Sequence, residues 1–135
     1  MVKFTIGVEP KTKKNSQQVV MIKGRPRIIQ SKAYREYEKQ ALPFCPKAGI
    51  DYPVNVKAVY YRRKHHRVDI TNLESALMDI LVKAGTLKDD CCSIVVSTDG
   101  SRVFYDKDNP RTEIEITAVI RTEKPIGFEV ENEKH

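Results

Sequence analysis

The sequence predicts an α+β fold: one small domain with a mixed β-sheet and two main helices packed on it. Three observations carry this reading. Apolar and polar residues alternate near both ends of the chain and in its middle, two intervening segments carry apolar residues at helical spacing, and 135 residues can bury one core but not two.

Val2, Phe4, Ile6 and Val8 alternate with Lys3, Thr5 and Gly7, which predicts a half-buried strand. Pro10 to Gln18 is polar and carries Lys11, Lys13 and Lys14. It leads into VVMI, a turn at Lys23-Gly24, and Arg25-Pro26-Arg27-Ile28-Ile29, so a basic loop feeds a short hairpin. Ser31 is placed to cap a helix running to about Leu42, with Ala33, Tyr34, Tyr37 and Ala41 as its apolar stripe and Pro43 as its stop. From Pro53, VNVKAVYY predicts a second main strand that runs into the charged segment Arg62 to Arg67. Leu73, Ala76, Leu77, Ile80, Leu81 and Ala84 recur at helical spacing, and Gly85 ends that helix. Ser93 to Ser97 and Glu113 to Ile120 read as closing strands joined across Asp99 to Asn109, a region rich in turn formers. The domain is expected to span residues 1–122, with 123–135 as a frayed C-terminal extension.

Lys and Arg outnumber Asp and Glu by 24 to 18, a net charge of +6, which favours a polyanionic partner without identifying it. Neither a signal-peptide core nor an apolar run of roughly 20 residues is present, so the expectation is a soluble chain of the cytoplasm with no membrane partner. Cys45, Cys91 and Cys92 are odd in number and form no CxxC pair, which argues against a disulfide framework. The adjacent pairs His65-His66 and Cys91-Cys92 do not match usual zinc spacings.

The chemistry concentrates between Arg62 and Asp90. Asp69-Ile70-Thr71-Asn72 falls between a strand end and a helix start, where a carboxylate projects from the sheet rim. Asp89 and Asp90 follow the helix and its glycine turn, and a strand-helix-strand return is expected to bring both rims together. Carboxylates gathered there would suit magnesium, which prefers carboxylate, water and phosphate oxygens. The plainer alternative is a capped helix. Thr71 and Glu74 have capping-box spacing, Asp69 suits the positive helix end, and Asp89-Asp90 reads as a solvated turn. Asn72, Ser75 and Asp79 share a polar face of the helix.

Among the basic residues, Lys11, Lys13, Lys14, Arg25 and Arg27 are proposed phosphate contacts, with a solvated basic loop as the equal alternative. Arg62, Arg63, Lys64 and Arg67 are stronger candidates because their run leads straight to Asp69, and a metal site acting on a phosphodiester needs positive charge to neutralise the phosphate. Tyr60 and Tyr61 are candidates to stack on unpaired bases, with strand core the commoner fate of one of them.

Asp69-Ile-Thr-Asn72-Leu73, then Ala76, Asp79 and Leu81, then Leu87-Lys-Asp89-Asp90 resembles the RusA family of Holliday-junction resolvases, whose D-x-D-N-L, K-A-x-x-D-x-L and D-D elements occur in that order. Pro10-Lys11, Arg25-Pro26-Arg27 and the Tyr34/Tyr37 helix resemble the family's basic N-terminal section, and together the resemblance covers most of residues 4 to 120. It implies a RusA-like α+β homodimer, bacterial or phage-encoded, that cuts four-way DNA junctions with Mg2+ through paired nicks. Asp69 and Asp90 match the catalytic, metal-binding acids. Asn72, Asp79 and Asp89 match accompanying motif residues and, with Glu74, are further metal-ligand candidates.

Two positions depart from the pattern: Thr71 stands where the family has a second acid, and Ser75 where it has a lysine. Three consequences stay open. Glu74 or Asp79 replaces the missing carboxylate, with Asn72 as a neutral oxygen ligand; a cation between Lys11 and Arg27 replaces the lysine; or the protein binds junctions and cuts them slowly or not at all.

Overall fold

The computed structural model describes residues 1–13 and 17–120, excluding the side chains of Gln17 and Gln18. Lys14 and the expected extension 123–135 lie outside the described residues. The architecture is α+β, a mixed sheet with two helices.

Strand β1 (Val2–Ile6) stops before Val8 and pairs antiparallel with β7 (Arg111–Ala118), which pairs antiparallel with β4 (Val54–Arg62). The far edge of β4 is shared by two short strands, both parallel to it. β5 (Val95–Ser97) lies against its first residues and β6 (Arg102–Tyr105) against its last. β6 corrects the sequence reading, which took residues 99–109 as connection only. Four residues flanked by Asp, Gly and Asn are too short for periodicity to stand out from the turn formers.

Alternation makes the sheet one-sided. Val54, Val56, Ala58 and Tyr60 of β4 are buried with Thr112, Ile114 and Ile116 of β7, while intervening residues stay partly open. Helices α1 (Lys32–Ala41) and α2 (Ile70–Ala84) contribute to the same core through Tyr34, Tyr37 and Ala41, and through Leu73, Ala76, Leu77, Ile80 and Leu81. Each fully buried Leu or Ile contributes about 1.5–3 kcal/mol relative to exposure. Ser31 caps α1 as expected, its Oγ accepting the Tyr34 N–H at 3.2 Å. Ala33, assigned to the apolar stripe, is exposed, so the buried face is carried by Tyr34, Tyr37 and Ala41.

The N-terminus of α2 also differs from expectation. Asp69, not Thr71, is the cap residue: its carbonyl accepts the Asn72 and Leu73 N–H groups, and its carboxylate makes no capping bond. Thr71 already lies inside the helix, two residues past the N-cap that a capping box requires. The C-terminus behaves as predicted. Gly85 takes a left-handed φ of 84°, and its N–H reaches the Leu81 and Val82 carbonyls.

Strands β2 (Gln17–Ile22) and β3 (Arg25–Gln30) form a separate two-stranded hairpin. Lys23 and Gly24, with φ of 51° and 76°, make its two-residue turn. Val19, Met21, Pro26 and Ile28 share one face by register, and Val20, Ile22, Arg25 and Arg27 share the other. Among the described residues no helix is long and apolar enough to cross a membrane.

Candidate nucleic-acid site at the two ends of the central helix

Parallel pairing of β4 with β5 decides where the acids go. The connection through α2 leaves the C-terminal end of β4 and must enter β5 at the N-terminal end of β4, since parallel strands start at the same rim. Asp69 therefore sits at one rim. Asp89 and Asp90 sit at the other, between Lys88, whose N–H reaches the Ile50 carbonyl at 2.9 Å, and Ile94, whose carbonyl accepts the Val54 N–H at 2.7 Å. The expectation that this return brings both rims together is overturned. α2 has 15 residues, so its ends are separated by about 20 Å at the 1.5 Å rise of an α-helix.

That separation tests the magnesium expectation. Magnesium holds oxygen ligands at about 2 Å, so two carboxylates on one ion lie within about 4 Å of each other. Among the described residues no three His, Cys, Asp or Glu side chains are gathered closely enough to hold a metal. Asp69 is exposed at the start of α2. Glu74 faces Tyr60, whose buried phenol is pushed up by desolvation and then by the Glu74 charge. Asn72 is half-buried, Asp79 pairs with Lys13, and Asp89 accepts the Asp90 N–H at 2.7 Å. One chain alone does not assemble the donor set.

The basic candidates separate into three groups. Arg25 and Arg27 are exposed on the hairpin face they share. Lys11 pairs with Glu9 at 2.9 Å, and Lys13 reaches α2 at Asp79, one turn beyond Ser75. This places a cation on the face from which the family lysine is missing.

Arg62, Arg63, Lys64 and Arg67 line the rim beside Asp69, and the loop carrying them is held from below. Arg62 Nη1 donates to the His66 carbonyl at 2.6 Å, and the Asp106 N–H donates to the Arg62 carbonyl at 2.8 Å. Glu9 Oε2 accepts the Arg63 N–H at 2.9 Å, and Arg63 Nη1 reaches the Lys107 carbonyl at 3.3 Å. Partial burial pulls the Glu9 carboxyl upward, but the bonds and charges from Lys11 and Arg63 outweigh it and hold the group below its ordinary range.

Glu9, Tyr105 and Lys107 were not singled out from the sequence. Glu9 carries no local signal, because its partner Arg63 is 54 residues away. Tyr105 lies on β6, whose four residues are too few to give a periodic signal. The two tyrosines that were named turn out to be covered. Tyr60 is 1% exposed in the core, and Tyr61 stacks on Phe104 with the Arg111 guanidinium 3.8 Å above its ring. Cys45 is a buried thiol pushed up to about 11 by desolvation, which makes it a packing residue rather than a nucleophile.

A search of curated proteins finds no match. A family model described as endodeoxyribonuclease RusA matches residues 7–117. The match takes in Glu9, both acidic positions and nearly all of β7, and on this coverage the chain belongs to the RusA endodeoxyribonuclease family.

Proposed function

We propose that this chain is a magnesium-dependent endodeoxyribonuclease that resolves Holliday junctions or other branched DNA by paired phosphodiester cleavage, acting as a homodimer. The observation that carries this reading is the placement of the two acids at opposite ends of α2, with Arg62 to Arg67 beside one of them.

A two-fold axis passing near the middle of α2 exchanges its ends, so Asp69 of one protomer meets Asp90 of the partner subunit, twice per dimer. Two such sites match a reaction that needs two symmetric cuts. Bound there, magnesium would supply a nucleophile by lowering the pKa of water and would stabilise charge on the scissile phosphate. The chain's own cations do the rest. Arg62, Arg63, Lys64 and Arg67 hold the DNA backbone beside Asp69, and Lys13 holds positive charge on the α2 face where the family lysine is replaced by Ser75.

The test is a synthetic four-way junction incubated with the purified chain and either magnesium or a chelator. Metal-dependent nicks placed symmetrically in opposing strands support the reading. Binding without any such nicks removes the nuclease.

A second reading is a branched-DNA-binding protein with weak or no cutting. It is favoured by Thr71 and Ser75, both exposed on α2 where the family pattern has a carboxylate and a lysine. Thr71→Asp combined with Ser75→Lys discriminates: cutting that appears from a near-zero baseline supports degeneration, and strong cutting by the unaltered chain refutes it.

A further inference from the structure

At the end of β6, Tyr105 pairs in register with Arg62 and lays its ring on the His65 imidazole, with centroids 3.8 Å apart. Tyr105 is nonetheless 43% exposed, and its neighbour Phe104 is 51% exposed. Two clefts meet at this stack. One, about 440 Å³, is lined by Arg62, Lys64 and Arg67 together with His65, Phe104 and Tyr105. The other, about 350 Å³, is lined by Arg63, Lys64, Lys107 and Tyr105 with Asp108. Lys64 and Tyr105 border both.

The chemistry of this corner is unusual for a solvated rim. Five cations line adjoining clefts that hold a single carboxylate, a net positive charge to which an anion would be drawn. The Arg62 Nε is buried and has no hydrogen-bond partner, a donor already desolvated at the cleft wall. Exposed aromatic rings between such cations offer flat apolar surface that does not belong to the core. Cations spaced around an open π-face suit a nucleotide, whose base stacks while its phosphates are neutralised. The larger cleft falls in the size range of small-ligand sites.

We infer that these clefts bind one unpaired nucleotide of a branched DNA, its base stacked on the Tyr105–His65 pair and its two flanking phosphates held by Arg67 with Lys64 and by Arg63 with Lys107. The inference rests on the branched-DNA reading and adds how a branch is told from a duplex. In paired DNA each base face is covered by its neighbours, and only a base freed at a branch point presents a face to Tyr105. Selection then depends on an open base, and cutting on the acids of α2.

The experiment measures binding by the full chain, in chelator so that nothing is cut, to three oligonucleotide duplexes of one sequence. One is fully paired, one carries a single thymidine bulge, and one carries an abasic bulge. The thymidine bulge is expected to bind about tenfold tighter than the abasic one, the scale of one stacked base. Tyr105→Ala brings that ratio close to one, Tyr105→Phe restores it, and His65→Ala, on an exposed loop residue, lowers it independently should Tyr105→Ala not fold.

Equal binding of the thymidine and abasic bulges by the unaltered chain overturns the inference. So does a ratio that survives both Tyr105→Ala and His65→Ala. Absence of the ratio in the unaltered chain with junction cutting intact sinks this site alone, whereas a preserved ratio without metal-dependent cutting sinks the nuclease reading and leaves the site. Failure to bind any of the three in low salt overturns both.

Discussion

Lys13 crosses from the segment after β1 to pair with Asp79 on α2, one helical turn beyond Ser75. The two side chains are 31% and 43% exposed, and such pairs contribute at most about 1 kcal/mol. If the pair were only structural, Lys13→Gln would be nearly silent. We expect instead a cleavage rate at least tenfold lower while the melting temperature falls by no more than about 4 °C. Unchanged cleavage of a four-way junction would remove Lys13 from the role left open by Ser75.

The separation of Asp69 and Asp90 along α2 makes the proposed sharing of sites between protomers testable by complementation. On the proposed homodimer, Asp69→Asn and Asp90→Asn are each expected to lose cutting by at least about 100-fold, since each would remove one of the two proposed metal-binding acids from both sites. Mixing the two variants and letting subunits exchange should restore nicking. With the proposed sites shared between protomers, a mixed dimer would lose both acids at one site and keep both at the other, so single nicks should return without paired cuts. No recovery in dimers shown to be mixed would place both acids of a site in one chain or exclude them from the chemistry.

Asp106 turns the loop after β6 back toward β7. Its carboxyl lies below its ordinary value of 3.8, chiefly through the Arg111 guanidinium at 3.0 Å and then the Asn109 and Asp108 N–H groups. A carboxyl lowered on folding contributes stability that is fully present above its unfolded pKa and is lost as pH falls through the folded value. Urea midpoints measured downward from about pH 5 should therefore decline less steeply in Asp106→Asn than in the unaltered chain. Parallel declines would contradict the pairing.

Gly85 isolates a backbone effect. Its φ is 84°, and a Cβ added there would meet Lys47 Cγ at 3.9 Å, an ordinary contact. Gly85→Ala should cost about 1–2 kcal/mol through the left-handed conformation alone, read as a lower urea midpoint at unchanged slope. A neutral result would mean that the end of α2 relaxes to another cap.

Much of the scaffold was legible because its signals are local. The Ser31 cap, the Lys23-Gly24 turn, the β4 alternation and the α2 stripe each depend on residues within a turn or two of one another. The misreadings have equally specific causes. Thr71-x-x-Glu74 has capping spacing, yet the chain enters α2 earlier and puts Thr71 inside it. β6 is short, and its aromatic residues remain half open, so neither burial nor length marked it.

The sequence alone determined every strand and α-helix except β6, the order of the acidic positions that resembles the RusA family, and the basic run ahead of Asp69. Tertiary structure decided that Asp69 and Asp90 stand at opposite rims, that Lys13 meets Asp79, and that Tyr105 rather than Tyr60 or Tyr61 presents an open stacked ring. The physical reason is that side-chain periodicity reports which face of an element meets solvent, whereas the end of an element that meets another depends on strand direction. Here the parallel pairing of β4 and β5 made that choice through backbone hydrogen bonds between residues about forty positions apart.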